Sequence, residues 1–469
     1  MTFSSDYPQN KKELKRALRI DDSFDLICKD LVIGGRNACF FFVDGFTKDE
    51  VMQKMLSGFY GIQPQDMPEN AEDFSKTQLP YIEVDLMNNL EQTVTGILSG
   101  MTALLIEGYD HALCLDVRTY PARGVDQPEK EKVLRGSRDG FVETIVFNTA
   151  LIRRRIRDPK LTMEMLSVGS SSHTDIVLCY MDNVVDRELL NYVRMKIQNI
   201  RARSLSMNQT SLAECLYERH WYNPFPKFKY TERPDTSAAS IMEGSLVILV
   251  DTSPSAIILP TSLFGILEEA DDFYFPPITG TYLRLTRYLI SAITFFITPL
   301  FLLLTIHPEW LPEWLSFITM AEETHVPLMF QFLILEIAID GLRLAAVNTP
   351  SMLTTPLSIV AGLALGEYAV TSGWFNAEAM LYMAFVAVAN YTQPSYELSY
   401  ALKFFRIVTL ILTGFFELPG LLCGTALLLA ALLLNRTIDG RRRYLYPLIP
   451  WNWNALKYQL FRLRRDENS

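Results

Sequence analysis

The sequence predicts an α/β cytosolic region of two small α/β subdomains, followed by an α-helical polytopic membrane domain. Two observations lead to this fold class. Before residue 280, short strand patterns alternate with helical patterns and charged residues are dense; after Tyr288 charges become sparse. The first uncharged run, Tyr288–Ile306, would form a helix about as long as a ~30 Å hydrocarbon core is thick. Three more such runs follow.

Composition limits the classes of function. The chain has 469 residues, enough for two or three domains, and a formal net charge of −10. This charge argues against nucleic-acid binding through a basic surface. The short basic runs Arg153–Arg155 and Arg441–Arg443 are interpreted as solvated faces or membrane-flanking anchors. The stretch Met1–Leu18 lacks the apolar core of a signal peptide, so the N-terminal region is expected to remain in the cytosol.

The first α/β subdomain is predicted at 1–124 and includes a polar N-terminal arm. Residues 24–33 and 37–46 flank a glycine turn and predict a β-hairpin. Helices are expected at 47–59 and 85–99. The second subdomain, with a membrane-proximal linker, is predicted at 125–280. Its expected elements are a helix ending in the Arg153–Arg155 run, strands at 161–169 and 174–181, a helix at 187–200, and strands at 245–251 and 255–260.

No motif for catalysis is found. Walker A, GxGxxG, GxSxG and HExxH patterns are missing from the sequence, and the five histidines lie far apart. The six cysteines form no CxxC pair, so neither a zinc site nor a disulfide framework is predicted. We therefore expect no enzyme activity, no catalytic or metal site, and no cofactor.

Several stretches carry a family resemblance. Residues 230–235 (YTERPD), with Glu243-Gly244 and Asp251–Ser255, resemble the core signature of the GerA family, the A subunits of spore germination receptors. The resemblance covers about 23–450. Four further stretches resemble the stage V sporulation protein AF (SpoVAF) branch of that family. They are DVRTYPARG (116–124), RGSRDGFVETIVFNTALIRRRIRD (135–158), YNPFP (222–226) and PSYELS (394–399).

The resemblance implies a multi-pass protein of the spore inner membrane that acts in germination. It implies oligomerisation into a ring with a central ion pathway, and a SpoVAF-type cation-release channel that works with a small membrane partner protein. A nutrient-sensing A subunit, which would need further receptor subunits as partners, is the alternative within the family. A non-conducting membrane scaffold or sensor is the alternative from another class.

The helical domain is predicted at 281–443, with a cytosolic tail at 444–469. Arginines flank both ends of the apolar region, which places both ends on the cytosolic (spore core) side. Spans are expected at 288–306, 326–344, 348–366 and 379–396. The stretch 404–435 is too long for one straight span. Pro419-Gly420 interrupts it, which favours a hairpin of two short helices and six segments; a single kinked helix would give five.

Charges inside the span 326–344 mark the candidate ion pathway. Glu336 and Asp340 are four residues apart and share a helix face, and Arg343 follows. Charges within a span usually face a protein interior or water. The cluster is either an ion pathway, in which Arg343 neutralises one acid, or a subunit contact. The structural alternative is an internally paired cluster near the cytosolic boundary, from which the Arg343 side chain reaches toward the membrane surface.

Other positions are secondary candidates. Asn390, Thr392 and Gln393 are the next polar candidates for lining a pore. Glu417 is a further candidate, because an acid there departs from the small or apolar residue expected from the resemblance. Gly362 and Gly366 have the spacing of closely packed helices.

Overall fold

The computed structural model describes residues 2–79, 81, 83–118, 128, 131–217, 223–318, 325–348, 362, 366 and 368–462. The chain forms two units. The α/β unit contains Met1–Arg219 and Phe228–Pro260, and the helical unit contains His220–Lys227 and Thr261–Ser469. The division falls at Pro260 rather than at the predicted 280. The cause is the acidic stretch 268–272, which is tied to the first long helix by ion pairs from Arg284 and Arg287.

The α/β unit contains two five-stranded antiparallel sheets. The first has the strand order β1-β2-β4-β5-β3 and the second the order β6-β7-β9-β10-β8. The elements of the first half are α1 (Tyr7–Leu18), β1 (Leu26–Ile33), β2 (Arg36–Val43), α2 (Asp49–Tyr60), α3 (Ala71–Thr77), β3 (Val84–Met87), α4 (Leu90–Leu98), β4 (Thr102–Ile106) and β5 (Ala112–Leu115). Those of the second half are α5 (Ile145–Arg155), β6 (Leu161–Val168), β7 (Thr174–Met181), α6 (Arg187–Gln198), α7 (Asn208–Leu216), β8 (Lys229–Thr231), α8 (Pro234–Met242), β9 (Leu246–Val250) and β10 (Ala256–Leu259).

The second half repeats the first, element for element. In each half a helix precedes a hairpin, two helices follow it, and an edge strand, a helix and a second hairpin complete the order. The structure contains the predicted strands. It also contains the predicted turn, in which Gly34 and Gly35 both have positive φ. Helix starts are fixed by side chains that accept backbone N–H groups, such as Asp6, Asn89 and Asp186.

A buried ion pair links the two halves. Arg153 at the end of α5 is fully buried and its Nε lies 2.7 Å from Asp25 Oδ2, just before β1. The same guanidinium donates to the carbonyl of Leu161 and to the hydroxyl of Ser23. The interpretation of Arg153 as a solvated or membrane-flanking residue was wrong, because its charge is neutralised inside the α/β unit.

The helical unit contains four long helices, of 15 to 39 residues, and four short ones among the residues described. They are α9 (Leu263–Ile266), α10 (Asp271–Tyr274), α11 (Pro277–Ile306), α12 (Leu328–Asn348), α13 (Tyr368–Thr371), α14 (Ala377–Tyr391), α15 (Tyr396–Leu434) and α16 (Trp453–Leu460). By length and apolar composition, α11 and α15 could each cross a membrane. Most of the predicted span 348–366 lies outside the described residues.

Helix α15 is a hairpin. Glu417 has φ 53° and ψ −130°, which no helix accommodates, and separates a first arm (396–416) from a second arm (418–434). The arms lie against each other, because Gly420 contacts the backbone of Leu412 and Gly424 contacts Thr409. The predicted break at Pro419-Gly420 is thus present, displaced by two residues to Glu417.

The helix ends collect at two ends of this bundle. At one end, His307 follows α11 and bonds Glu417 between the arms, while Gln331 near the start of α12 accepts from the backbone N–H of Asn376 before α14. We call this the His307 end. At the opposite end, which we call the Arg343 end, Gln393 after α14 bonds Ser291 of α11.

Candidate functional site

A buried ion pair lies halfway along the bundle. Glu336 of α12 accepts a hydrogen bond of 2.8 Å from Arg406 Nε, and Arg406 Nη2 lies 2.6 Å from the same oxygen. Both side chains are buried, and Arg406 Nη1 donates to the carbonyl of Thr294 in α11. Arg406 is in the middle of the first arm, about 15 Å from each end at ~1.5 Å per residue. The pair therefore joins three helices at mid-depth.

The cluster continues one turn toward the Arg343 end. Lys403 Nζ lies 3.1 Å from Glu336 Oε2 and 2.6 Å from Asp340 Oδ2. The Asp340 side chain is 34% exposed, whereas those of Glu336 and Lys403 are buried. Two acids and two bases are thus paired, and the cluster carries no formal net charge. We call Glu336, Asp340, Lys403 and Arg406 the charge cluster.

Arg343 lies beyond the charge cluster, among aromatic rings. Its guanidinium carbon is 4.7 to 5.5 Å from the ring centroids of Tyr391, Tyr396 and Tyr400. Such contacts stabilise a cation over the ring faces. The expectation that Arg343 neutralises one of the acids was wrong in this structure, since Lys403 and Arg406 occupy that role.

The two cations were missed by the sequence analysis. Lys403 falls just before the stretch interpreted as the last span, and Arg406 lies inside it. One signal was present: two acids in an apolar helix require compensating charge, and residues 403 and 406 share one face of the neighbouring helix. The pairing lies well within α12 and the first arm rather than at their ends, and its position relative to the cytosolic boundary stays a prediction.

Buried hydroxyls extend the polar line toward the His307 end. Thr298 of α11 and Thr409 and Thr413 of the first arm are all buried. Thr409 and Thr413 donate to carbonyls one turn earlier in their own helix. Thr298 Oγ1 has no hydrogen-bond partner among the residues described. At the His307 end itself, Glu309 and Glu417 both bond His307, and these carboxylates raise the pKa of its imidazole.

The secondary polar candidates lie at the Arg343 end in local hydrogen bonds. Asn390 accepts from Ser399, Thr392 donates to the carbonyl of Ala389, and Gln393 exchanges bonds with Ser291. These contacts fix the turn between α14 and α15.

The glycines that pack helices closely are not the predicted ones. Gly362 and Gly366 have no neighbour within 4 Å of their Cβ positions among the described residues, so their packing role stays a prediction. Gly420 and Gly424 instead bring the arms of α15 together. The sequence GLLCG has the same small-xxx-small spacing and could have indicated this contact.

The residues of the family signature serve the α/β unit as supports. Arg233 is buried; it pairs with Asp235 at 2.6 Å and donates to the carbonyl of Ser137. Glu131 accepts from the Thr231 hydroxyl and the Glu232 N–H, and burial raises the pKa of its carboxyl. These polar groups hold one loop against the edge strand β8.

A short segment of the chain, 223–227, binds the end of the second arm; we call it the strap. Asn223 donates to the carbonyl of Ala431 at 3.2 Å. Lys227 contacts the side-chain oxygen of Asn435 and donates to the carbonyl of Arg436 at 2.7 Å. A cation at a helix C-terminus complements the helix dipole. Phe225, which lies between Asn223 and Lys227 in the strap, stacks on Phe405 of the first arm.

Burial lowers the pKa of Lys227 from its ordinary value of 10.5 to about 8. Below pH 8 the lysine is protonated in both folded and unfolded chains. Between about 8 and 10.5 the unfolded chain binds the additional proton, so stability should rise with pH. We expect the difference in unfolding temperature, wild type minus Lys227→Met, to increase as the pH rises from about 8 to 10.5. Thermal unfolding of both proteins from pH 7 to 10.5 measures it; a flat or falling difference would show that Lys227 is not desolvated.

Known proteins are similar in sequence to this chain over nearly its whole length. It is 36% identical over 456 residues to stage V sporulation protein AF of Bacillus subtilis (strain 168), covering 97% of this chain and 92% of that one. It is 25% identical over 473 residues to spore germination protein KA of the same organism, covering 98% and 85%.

A solved structure is also similar, the N-terminal domain of the A subunit of the Bacillus megaterium spore germinant receptor GerK3. Its TM-score is 0.41 at 22% identity, covering 55% of this chain and 96% of that one. The model of the Bacillus/Clostridium GerA spore germination proteins matches residues 12–468. The chain therefore belongs to the GerA family of spore germination proteins.

Proposed function

We propose that the chain is a subunit of a spore inner-membrane channel that releases cations during germination. The observation that carries the proposal is the charge cluster at mid-depth, with buried hydroxyls continuing the polar line. Ionisable residues at such depth are costly and mark ion pathways in membrane proteins. The similarity to stage V sporulation protein AF supports a role in sporulation or germination. The proposal assigns no catalytic chemistry to the chain.

In this arrangement the pathway is closed. Lys403 neutralises Asp340, the most exposed acid of the cluster, and Arg406 neutralises Glu336. Conduction requires that the acids be freed, by movement of the first arm relative to α12 or by association of several copies. Homo-oligomerisation, with a small membrane protein or receptor subunits as further partners, would bring several clusters around one axis. Acidic rings of that kind select cations.

Two substitutions, one that removes a positive charge and one that removes a negative charge, should test the pathway. We expect Lys403→Gln to raise cation conductance and Asp340→Asn to lower it, each on the order of tenfold, as for a change of about 1.4 kcal/mol in ion binding. Conductance per assembled protein should be measured after reconstitution into lipid bilayers. Glu378→Gln, an acid at the His307 end of α14, is the matched control and should behave as wild type.

A non-conducting scaffold is the second candidate, and the complete pairing of Glu336 favours it. A scaffold predicts that both variants lower the amount of folded protein but leave the bilayer without ion current. Equal conductance per assembled protein in Lys403→Gln and Asp340→Asn would remove the charge cluster from the pathway.

Orientation can be tested with the exposed thiol of Cys215, which lies in the α/β unit. The proposal puts this unit on the cytosolic side. A membrane-impermeant maleimide should therefore label Cys215 only after the membrane is opened, and Cys215→Ser should lose that signal. Labelling of Cys215 in intact cells would reverse the orientation.

A further inference from the structure

Two thiols meet on the sheet face beneath α1. Cys28 of β1 and Cys39 of β2 have their Sγ atoms 2.7 Å apart. The register pairs Cys39 with Asp30, two residues from Cys28, so all three side chains share one face. Both cysteines contact the apolar core that includes Leu14 of α1. This contact links the neighbouring strands β1 and β2, and neither strand contributes a residue to the charge cluster.

The two thiols differ in access and acidity. Cys28 is half-buried, whereas Cys39 is fully buried. The hydrogen bond between the two thiols lowers the pKa of Cys28, and the positive charges of Lys15 and Lys11 act in the same direction. The bond to Cys28 and burial both raise the pKa of Cys39. The thiolate is the nucleophilic form of cysteine, so Cys28 is placed to react first.

We propose that Cys28 and Cys39 are a peroxide-reactive pair that closes to a cross-strand disulfide. The Cys28 thiolate attacks one peroxide oxygen, the O–O bond breaks, and Cys28 becomes a sulfenic acid while hydroxide leaves. The Cys39 thiol then attacks the Cys28 sulfur and water leaves, its oxygen coming from the sulfenic acid. The proton earlier released by Cys28 combines with the leaving hydroxide to form one water. The proton of the Cys39 thiol leaves with the sulfenic hydroxyl as the second water. Two thiols and one hydrogen peroxide therefore give one disulfide and two waters.

The structure favours this reaction over metal ligation. Closing the sulfurs to a bond of ~2.05 Å requires them to approach by about 0.7 Å. The ligand atoms of Cys28, Asp30 and Cys39 lie within 4.8 Å of one another, as a metal site requires, but the carboxylate of Asp30 is engaged in an ion pair with Lys11. A soft metal ion on the two thiolates is therefore an outcome for the test to detect.

The test uses the full-length protein in detergent, treated with limiting hydrogen peroxide. Trypsin cleavage after Lys29 and Arg36 puts Cys28 on peptide 20–29 and Cys39 on peptide 37–48. After alkylation of the remaining thiols, mass spectrometry should find these two peptides linked, with the loss of two hydrogens, and the link should disappear on reduction. Cys39→Ser should leave Cys28 as a sulfenic acid that dimedone traps.

Controls separate the pair from general oxidation. Cys28→Ser should abolish the linked peptides, while Cys114→Ser, a buried thiol in the same sheet, should leave them unchanged. Oxidation of exposed Cys215 in the same sample shows that the peroxide was active. If Cys215 oxidises and peptides 20–29 and 37–48 stay unlinked, the proposal is wrong. It is equally wrong if stoichiometric Zn²⁺ is retained through gel filtration and protects both thiols.

Discussion

Gly420→Ala should destabilise the helical unit by about 3 kcal/mol, although alanine is the better helix former. An added Cβ at Gly420 would overlap the carbonyl oxygen of Leu412 in the facing arm. Both groups are fixed to helical backbones, so the overlap can be relieved only by separating the arms. Thermal unfolding in detergent, together with the monodisperse fraction on gel filtration, should show the loss.

Gly341→Ala provides the matched control. Gly341 lies in α12, and no described atom comes within 4 Å of its Cβ position. The substitution should be neutral or stabilise the protein by up to about 1 kcal/mol through helix propensity. If Gly420→Ala behaves like Gly341→Ala, the arms of α15 do not pack closely in solution.

Breaking the buried pair of Glu336 and Arg406 should strongly destabilise the bundle. Glu336→Met or Arg406→Met leaves one charge buried without its partner, which typically costs about 3 to 5 kcal/mol. The double variant replaces both charges with apolar side chains and should recover most of that loss. We expect low membrane protein levels and lower unfolding temperatures for each single variant, and near wild-type values for the double.

Asp340→Asn is the comparison for this cycle, since its partly exposed ion pair should contribute at most about 1 kcal/mol. Additive losses in Glu336→Met/Arg406→Met would contradict a direct contact between the two side chains. A stable double variant that no longer conducts would separate the role of the pair in conduction from its role in folding.

Local patterns in the sequence predicted the local structure well. The turn at Gly34-Gly35, the strands around Thr252–Pro254 and the break between the arms of α15 all follow from residues adjacent in sequence. Each depends on backbone preferences that glycine or proline imposes over a few residues. The family resemblance was also confirmed over almost the whole chain.

Partners that lie far apart in sequence could not be predicted in this way. Lys403 and Arg406 meet Glu336 across 67 and 70 residues, and no periodicity encodes which helices become neighbours. Arg153 was misassigned for the same reason, because its partner Asp25 is 128 residues away. The two sheets share the same strand order. Their sequences show no visible repeat, so this duplication could not be predicted from the residues.

The strap also sets an order of events during synthesis. Asn223 precedes its acceptor Ala431 on the second arm by 208 residues, and Lys227 precedes Asn435, the residue just after that arm, by the same number. At about 5 to 20 residues per second, a ribosome needs roughly 10 to 40 seconds to make that length of chain. During this interval the contacts of Asn223 and Lys227 cannot form, because their acceptors are not yet part of the chain. The strap therefore docks only after the last long helix has emerged, and a chain terminated before Ala431 would leave it undocked.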